Sequence, residues 1–474
     1  MNTIDRIADL SQIWKQAAQV FPYFDQNRID WDQAYADYLP KVMAAQSERA
    51  YHLLLAEFMN LLGDGHTDYQ PPRALQDENG YLPFTLRYVG GEYCVDAVTT
   101  GQERFLGARA LRLNSAPFAE AIVWACRYAY HVGDYVSRYR LHQLLPFYLQ
   151  RTGNCLETDQ GAWHFDLLPQ KQNKLSVKPL TLNESHQKIA VPRLDMRLYD
   201  GGILYVRLDD FLYAQAADEM RQALTQHPDA RGLIVDIREN IGGMTLYGAR
   251  VAELLIPGVF HGCQKRTRSM TGVALASASQ LAGWSAKDIE RDIASGLTTR
   301  EEVTRSRALL GNAHFDKYED CFGAEGQAAL YDGPCLLLTS RHTVSAAEDF
   351  AAMLRSNRRA LILGTPTCGT TGTPLLQRLR CGGSMRVCSV AYRLLDGTEF
   401  IGRGIAPDAE CEISAGDLRA GTDSVLREAL RRLRESITMH AKIRARRYPP
   451  ARILICFYVL TAPRCPRRHS HPGR

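Results

Sequence analysis

The chain has 474 residues, 45% hydrophobic and 23% charged, a composition that fits a large folded protein of several domains and excludes a disordered or collagen-like chain. Its formal charge of +5 is local: residues 440–474 hold nine Lys/Arg and no acid, and without them 48 basic residues face 52 acidic ones, a net of −4. The body is therefore mildly acidic and gives no electrostatic footprint for nucleic acid.

The first element is an amphipathic helix with Ile4, Ile7, Leu10, Trp14, Ala17 and Phe21 on one face. It shows neither the basic start nor the apolar stretch of an export signal, so a cytoplasmic protein is expected. Twelve cysteines placed singly, with no Cys-x-x-Cys and no Cys/His pairing, agree with reduced thiols and argue against a zinc site. The apolar run 453–460 is too short to span a bilayer, so no membrane partner is expected.

A second apolar stripe, Tyr51, Leu54, Leu55, Phe58, Leu61 and Leu62, ends at Gly63, a natural helix terminator. His66 stands on the loop that follows, so residues 1–72 read as a helical bundle that delivers a histidine. Residues 73–195 read as a β-rich subdomain with a helical segment. Within it Gly107-Ala-Arg-Ala-Leu-Arg-Leu-Asn114 is similar to a strand of PDZ-like peptide-binding modules, with Ser115 at the glycine of that motif. An ordinary β-subdomain fits the same residues.

From 196 to 436 strands and helices alternate, the pattern of an α/β core. Gly232-Leu-Ile-Val-Asp236 is a buried strand that runs through Arg238 and Asn240 into Gly242-Gly243. Glycines there let backbone amides approach a ligand, which suits an oxyanion hole; a tight turn explains them equally well. Asp236, Arg238 and Asn240 are expected to fix this loop and not to react. Between Pro257 and Tyr331 the alternation breaks into a polar, largely helical insertion, a lid or a solvated surface pair. Ser345 lies between the strand Cys335–Thr339 and a helix marked by Phe350, Met353 and Leu354. A hydroxyl there sits at the positive end of a helix, although Ser345-x-x-Glu348 also fits a capping box. Residues 437–474 are expected to be a basic, disordered tail.

Taken together, Asp64-Gly-His66-Thr, Asp236-x-Arg238-x-Asn240-x-Gly-Gly, Thr343-x-Ser345-Ala-Ala-Glu348, Gly364-Thr-Pro-Thr-Cys-Gly369 and Gly404-Ile-Ala-Pro407-Asp408 resemble the tail-specific (C-terminal processing) serine peptidases. Within that family the chain is most similar to the branch of the tricorn core protease and interphotoreceptor retinoid-binding protein. The resemblance implies a crotonase/ClpP-like catalytic core and a nucleophilic Ser345. It also implies a peptide or unfolded-protein substrate, no metal or organic cofactor, and compatibility with a homo-oligomer.

Two departures sharpen the expectation. Thr370 stands where Ser-Lys peptidases of the family carry lysine, so His66 becomes the expected base. The branch can place a serine before that histidine; here it is Gly65. The carboxylate expected to orient the imidazole aligns with Ile401, and the nearest acid, Glu399, is the expected third member, with Asp396 or a backbone carbonyl as substitute. The amides of Ala346 and of Gly242 or Gly243 would hold the oxyanion. Two competing readings remain open: a catalytically silent peptide- or ligand-binding relative, and an acyl-CoA enzyme on a similar core.

Overall fold

A computed structural model describes residues 2–171, 175–268, 285–296, 298–310 and 315–445. Its centre is a seven-stranded sheet in the order His186–Ile189, Asp195–Tyr199, Ile203–Arg207, Gly232–Asp236, Cys335–Thr339, Leu361–Gly364 and Ala409–Glu410. The first two pairings are antiparallel and the remaining four parallel. Gly232–Asp236 and Cys335–Thr339 are buried at every position, which is why both are unbroken apolar runs and not alternating ones.

The faces separate by parity. Leu233, Val235, Leu337 and Ile362 pack against the crossover helices Ala216–Gln226, Thr245–Ala252 and Ala346–Ser356. Ile234, Leu336, Leu338 and Leu363 pack against Leu426, Leu430 and Leu433 of the helix Ser424–Ala445. The core is thus an α/β sheet covered on both sides, as parallel strands require.

The expected tail has to be shortened. Residues 437–445 continue the helix Ser424–Ala445, because Ile437 extends the stripe of Leu426, Leu430 and Leu433 onto the sheet. Residues 446–474 lie outside the described residues.

The N-terminal region is four helices, Thr3–Val20, Phe24–Asn27, Trp31–Met43 and Glu48–Asn60. A boundary at residue 72 does not exist in the packing: Leu55 and Phe58 belong to one buried cluster with Phe84, Leu113, Trp163 and Val387. Short helices expose more apolar surface than they cover in each other, so they share the core of the β-rich region. That region holds a three-stranded and a four-stranded antiparallel sheet, and Asn114 and Ser115 turn between strands with φ of 49° and 67°. Ser115 therefore adopts the left-handed backbone that a glycine would take there.

The insertion after Pro257 contains more than helices. Ala286–Ala294 and Arg300–Leu310 are helical, but Phe260–Arg268 and Phe315–Phe322 pair as an antiparallel ribbon that also joins Val390–Arg393. In the first strand only Phe260, Gly262 and Cys263 are buried, so it lacks the apolar alternation by which a strand is recognised.

Candidate active site

Ser345 occupies a sharp turn between the strand Cys335–Thr339 and the helix Ala346–Ser356, with φ 61° and ψ −128°. A β-carbon makes this region costly, by about 1–3 kcal/mol, so surrounding contacts must impose it. They do so from both sides: the Ser345 amide donates to the Thr370 carbonyl (3.0 Å) and the Val344 amide to the Asn240 carbonyl (3.0 Å). The Ser345 side chain caps nothing on its helix. Glu348 does not reach back to it either, so the capping-box reading fails on both counts.

The hydroxyl of Ser345 instead meets His66, whose Nε2 lies 3.0 Å from Oγ across 279 positions of sequence. The histidine loop is held by Asp64, which accepts from the His66 amide (3.1 Å) and the Thr67 hydroxyl (2.7 Å). Asp64 is thus the cap of the loop. His66 is only 6% exposed, and burial, aided by the nearby Arg386 charge, pushes its imidazole down to about 3. The ring is neutral over the ordinary pH range, so Nε2 can carry a free lone pair.

The other ring nitrogen, Nδ1, lies 2.7 Å from the Thr370 hydroxyl oxygen. Thr370 is fixed in turn by Glu348, a fully buried carboxylate on the helix that Ser345 begins. It accepts from the amides of Gly369 (2.8 Å) and Thr370 (2.7 Å) and from the Thr367 hydroxyl. Burial pushes Glu348 up to about 8 against these three donors.

The glycine pair completes the site. Gly242 has φ +93°, and a β-carbon there would stand 2.7 Å from that of Ser345. Only glycine allows this approach. The Gly242 amide is spent on the Asn240 side-chain oxygen (2.9 Å), while that same side chain donates to the Leu208 carbonyl (3.0 Å). Arg238 forks onto Asp236 and Asp423 below the loop. Asp236, Arg238 and Asn240 therefore fix the loop, as expected of them. Among the described residues the amides of Gly243 and Ala346 have no acceptor; Ala346 follows Ser345 directly, and Gly243 follows the Gly242 that packs against it. A hydroxyl, a neutral imidazole at hydrogen-bond distance and two free amides form a set that can attack a carbonyl and hold the resulting anion.

The model of peptidase family S41 matches residues 202–411, and that of the tricorn protease C1 domain matches residues 5–60. The chain is 26% identical over 231 residues to a carboxyl-terminal-processing protease of Synechocystis sp., covering 48% of this chain and 42% of that protein. It is 24% identical over 237 residues to the chloroplastic carboxyl-terminal-processing peptidase 3 of Arabidopsis thaliana, covering 50% and 35%. Residues 202–411 are a domain of the tail-specific peptidases of family S41.

This S41 chain spans less than half the length of the curated relatives it matches. Over nearly its whole length it shares a fold with solved structures. Mature CPAF superposes with a TM-score of 0.64 at 15% identity, covering 88% of this chain and 94% of that one. CPAF complexed with lactacystin gives 0.65 at 14%, covering 93% and 98%.

One expected member of this S41 site is not in it. Glu399 pairs with Arg393 (2.5 Å) and accepts from Gln26 (3.1 Å) with its side chain 46% exposed. Phe400 takes the inward direction and is buried at 1%, which turns its neighbour outward. Asp396 is no substitute, since it caps its own turn by accepting from the Thr398 amide (2.9 Å). Sequence reasoning missed the groups that do stand behind His66, Thr370 and Glu348. Their traces were a threonine in the lysine position and a glycine where a serine can precede the histidine.

Proposed function

We propose that the chain is a serine peptidase that hydrolyses peptide bonds through an acyl-enzyme, with Ser345 as nucleophile and His66 as general base. One observation carries this reading: two residues 279 positions apart meet at 3.0 Å, with Nε2 of His66 toward the Ser345 hydroxyl. As Oγ bonds to the scissile carbonyl carbon, its proton passes to Nε2 and the carbonyl electron pair moves onto oxygen, where the Gly243 and Ala346 amides receive it. Collapse of this anion expels the amine, which takes the proton from His66. Water then attacks the ester by the same route and frees Ser345. Each amide aimed at the anion is worth about 3–4 kcal/mol of barrier.

The substrate in this reading is a peptide or an unfolded protein segment, since nothing in the chemistry distinguishes one carbonyl from another. The unpaired state of the ten described cysteines supports a reducing, cytoplasmic setting. The parallel α/β core with its nucleophile at a strand–helix turn supports the crotonase/ClpP-like assignment.

A fluorophosphonate probe tests the reading. The wild-type protein is expected to be labelled at Ser345, and Ser345→Ala and His66→Ala to lose both labelling and peptide hydrolysis while remaining folded. A folded wild type that stays unlabelled and cleaves no unfolded protein would instead be a binding relative.

A further inference from the structure

The base of this site lacks the carboxylate that usually orients a catalytic imidazole, yet its second nitrogen is not left unpaired. We infer that the Thr370 hydroxyl is the positioning group of His66: it accepts the Nδ1 proton and so holds the tautomer in which Nε2 is free for Ser345. The inference rests on the Ser345–His66 reading and names the group that makes the base competent.

Four observations converge on it. Oγ1 of Thr370 lies 2.7 Å from Nδ1, while Glu399 stands in an exposed ion pair and Ile401 can accept nothing. The Thr370 backbone is pinned at both ends, its amide donating to Glu348 (2.7 Å) and its carbonyl accepting from the Ser345 amide (3.0 Å). The same residue therefore registers base and nucleophile against each other, so the hydroxyl does not depend on a mobile side chain for its place. Glu348 lies on the helix that Ser345 starts, which ties the loop 367–370 to the nucleophile a second time.

The fourth observation is steric. A β-carbon on Gly65 would lie 2.7 Å from Oγ1 of Thr370 and 2.9 Å from its Cβ and Cγ2. Gly65 does not have the left-handed backbone that needs glycine, so the residue is small for the sake of space. The space it leaves is filled by the Thr370 side chain. A hydroxyl reaching the imidazole from the loop 367–370 and a side chain at position 65 are mutually exclusive here.

The chemistry favours the accepting role. A hydroxyl can donate or accept, but if Thr370 donated to Nδ1 the ring proton would sit on Nε2 and block proton uptake from Ser345. When the imidazolium forms, Nδ1–H must still find an acceptor in a buried site, and the oxygen of Thr370 is within reach.

The test uses the whole chain labelled with [15N]histidine, with Thr370→Val (same shape, no hydroxyl), Thr370→Ser and Gly65→Ala. The wild-type His66 ring is expected to carry its proton on Nδ1 near neutral pH. In Thr370→Val the ring should populate both tautomers, and kcat should fall on the order of a hundredfold with KM little changed. Thr370→Ser should recover most of that loss, and Gly65→Ala should behave like Thr370→Val because its methyl displaces the same side chain and supplies no hydroxyl of its own. An unchanged tautomer in Thr370→Val overturns the inference whether or not the wild type turns over peptide. A wild type that is unlabelled by the probe but keeps the Nδ1–H tautomer would sink the peptidase reading alone. Should Thr370→Val fail to fold, Thr370→Ser and Gly65→Ala still decide: a Thr370→Ser variant with neither the rate nor the tautomer, or a Gly65→Ala ring identical to wild type, counts against Thr370.

Discussion

Two loops lie side by side next to the imidazole, Thr367–Thr370 and Asp396–Gly404, and they differ by one layer of depth. The Gly402 amide donates to the Gly369 carbonyl (2.8 Å) and the Ile405 amide to the Thr367 hydroxyl (2.7 Å), so the later loop rests on the earlier one. Gly404 sits so close that a β-carbon would stand 2.1 Å from the Thr367 carbonyl oxygen. Of the two, Thr367–Thr370 is the loop that hydrogen-bonds His66. Each loop has its carboxylate: Glu348 is buried beneath the inner one, and Glu399 is exposed on the outer one. An acid close to the site in an alignment can thus be remote from its chemistry, while one that reads as a helix cap can support it.

The contrast between the two acids is the easiest to break. Glu348→Ala leaves two amides and a hydroxyl without an acceptor in a dry interior. The expected loss is roughly 3 kcal/mol of stability or more, at about 1–3 for each of the three orphaned groups, read from urea unfolding. An effect below about 1 kcal/mol would mean the inner loop is not held by this carboxylate.

Burial also separates the site from its surface by pH. His66 falls from an ordinary 6.5 to about 3, so the acid limb of kcat/KM should lie far below the usual histidine range, near the lower value. An acid limb near 6.5 would mean that the imidazole is hydrated in solution. Stability follows the linkage sign: the neutral-His66 contribution is complete above 6.5 and is lost as pH falls toward about 3. Glu348, raised from 4.5 to about 8, works the opposite way: its contribution is complete below 4.5 and lost as pH rises through about 8. Glu348→Gln should flatten that second slope in unfolding curves measured across the two values.

The strained turn gives a smaller effect of opposite sign. Ser345→Gly should abolish turnover yet gain about 1 kcal/mol in thermal unfolding, because glycine accepts φ 61° without penalty. A cap would have lost stability instead. Smallest is Glu399→Gln on the outer loop, expected to change stability by no more than about 0.5 kcal/mol and to leave the rate and its pH profile untouched. A large rate loss there would show that the outer loop swings inward in solution.

Much of this protein is written locally. The apolar runs at 232–236 and 335–339, the helical stripe after Ser345, the glycine pair at 242–243 and the terminator Gly63 before His66 each follow from short-range periodicity or backbone freedom. That is why the α/β core, Ser345 and His66 were legible as residues. The ribbon at 260–268 was not, because its polar strand is stabilised by partners at 315–322 and 390–393 and not by its own pattern.

What only the tertiary structure decided is which group satisfies which. The sequence left Gly242 and Gly243 equivalent; the Asn240 side chain consumes one amide and frees the other. It pointed to a carboxylate near 399 for the imidazole, and folding supplied a hydroxyl 304 positions from His66. Hydrogen-bond satisfaction in a buried site is a property of everything packed there at once, and no spacing along one segment encodes it.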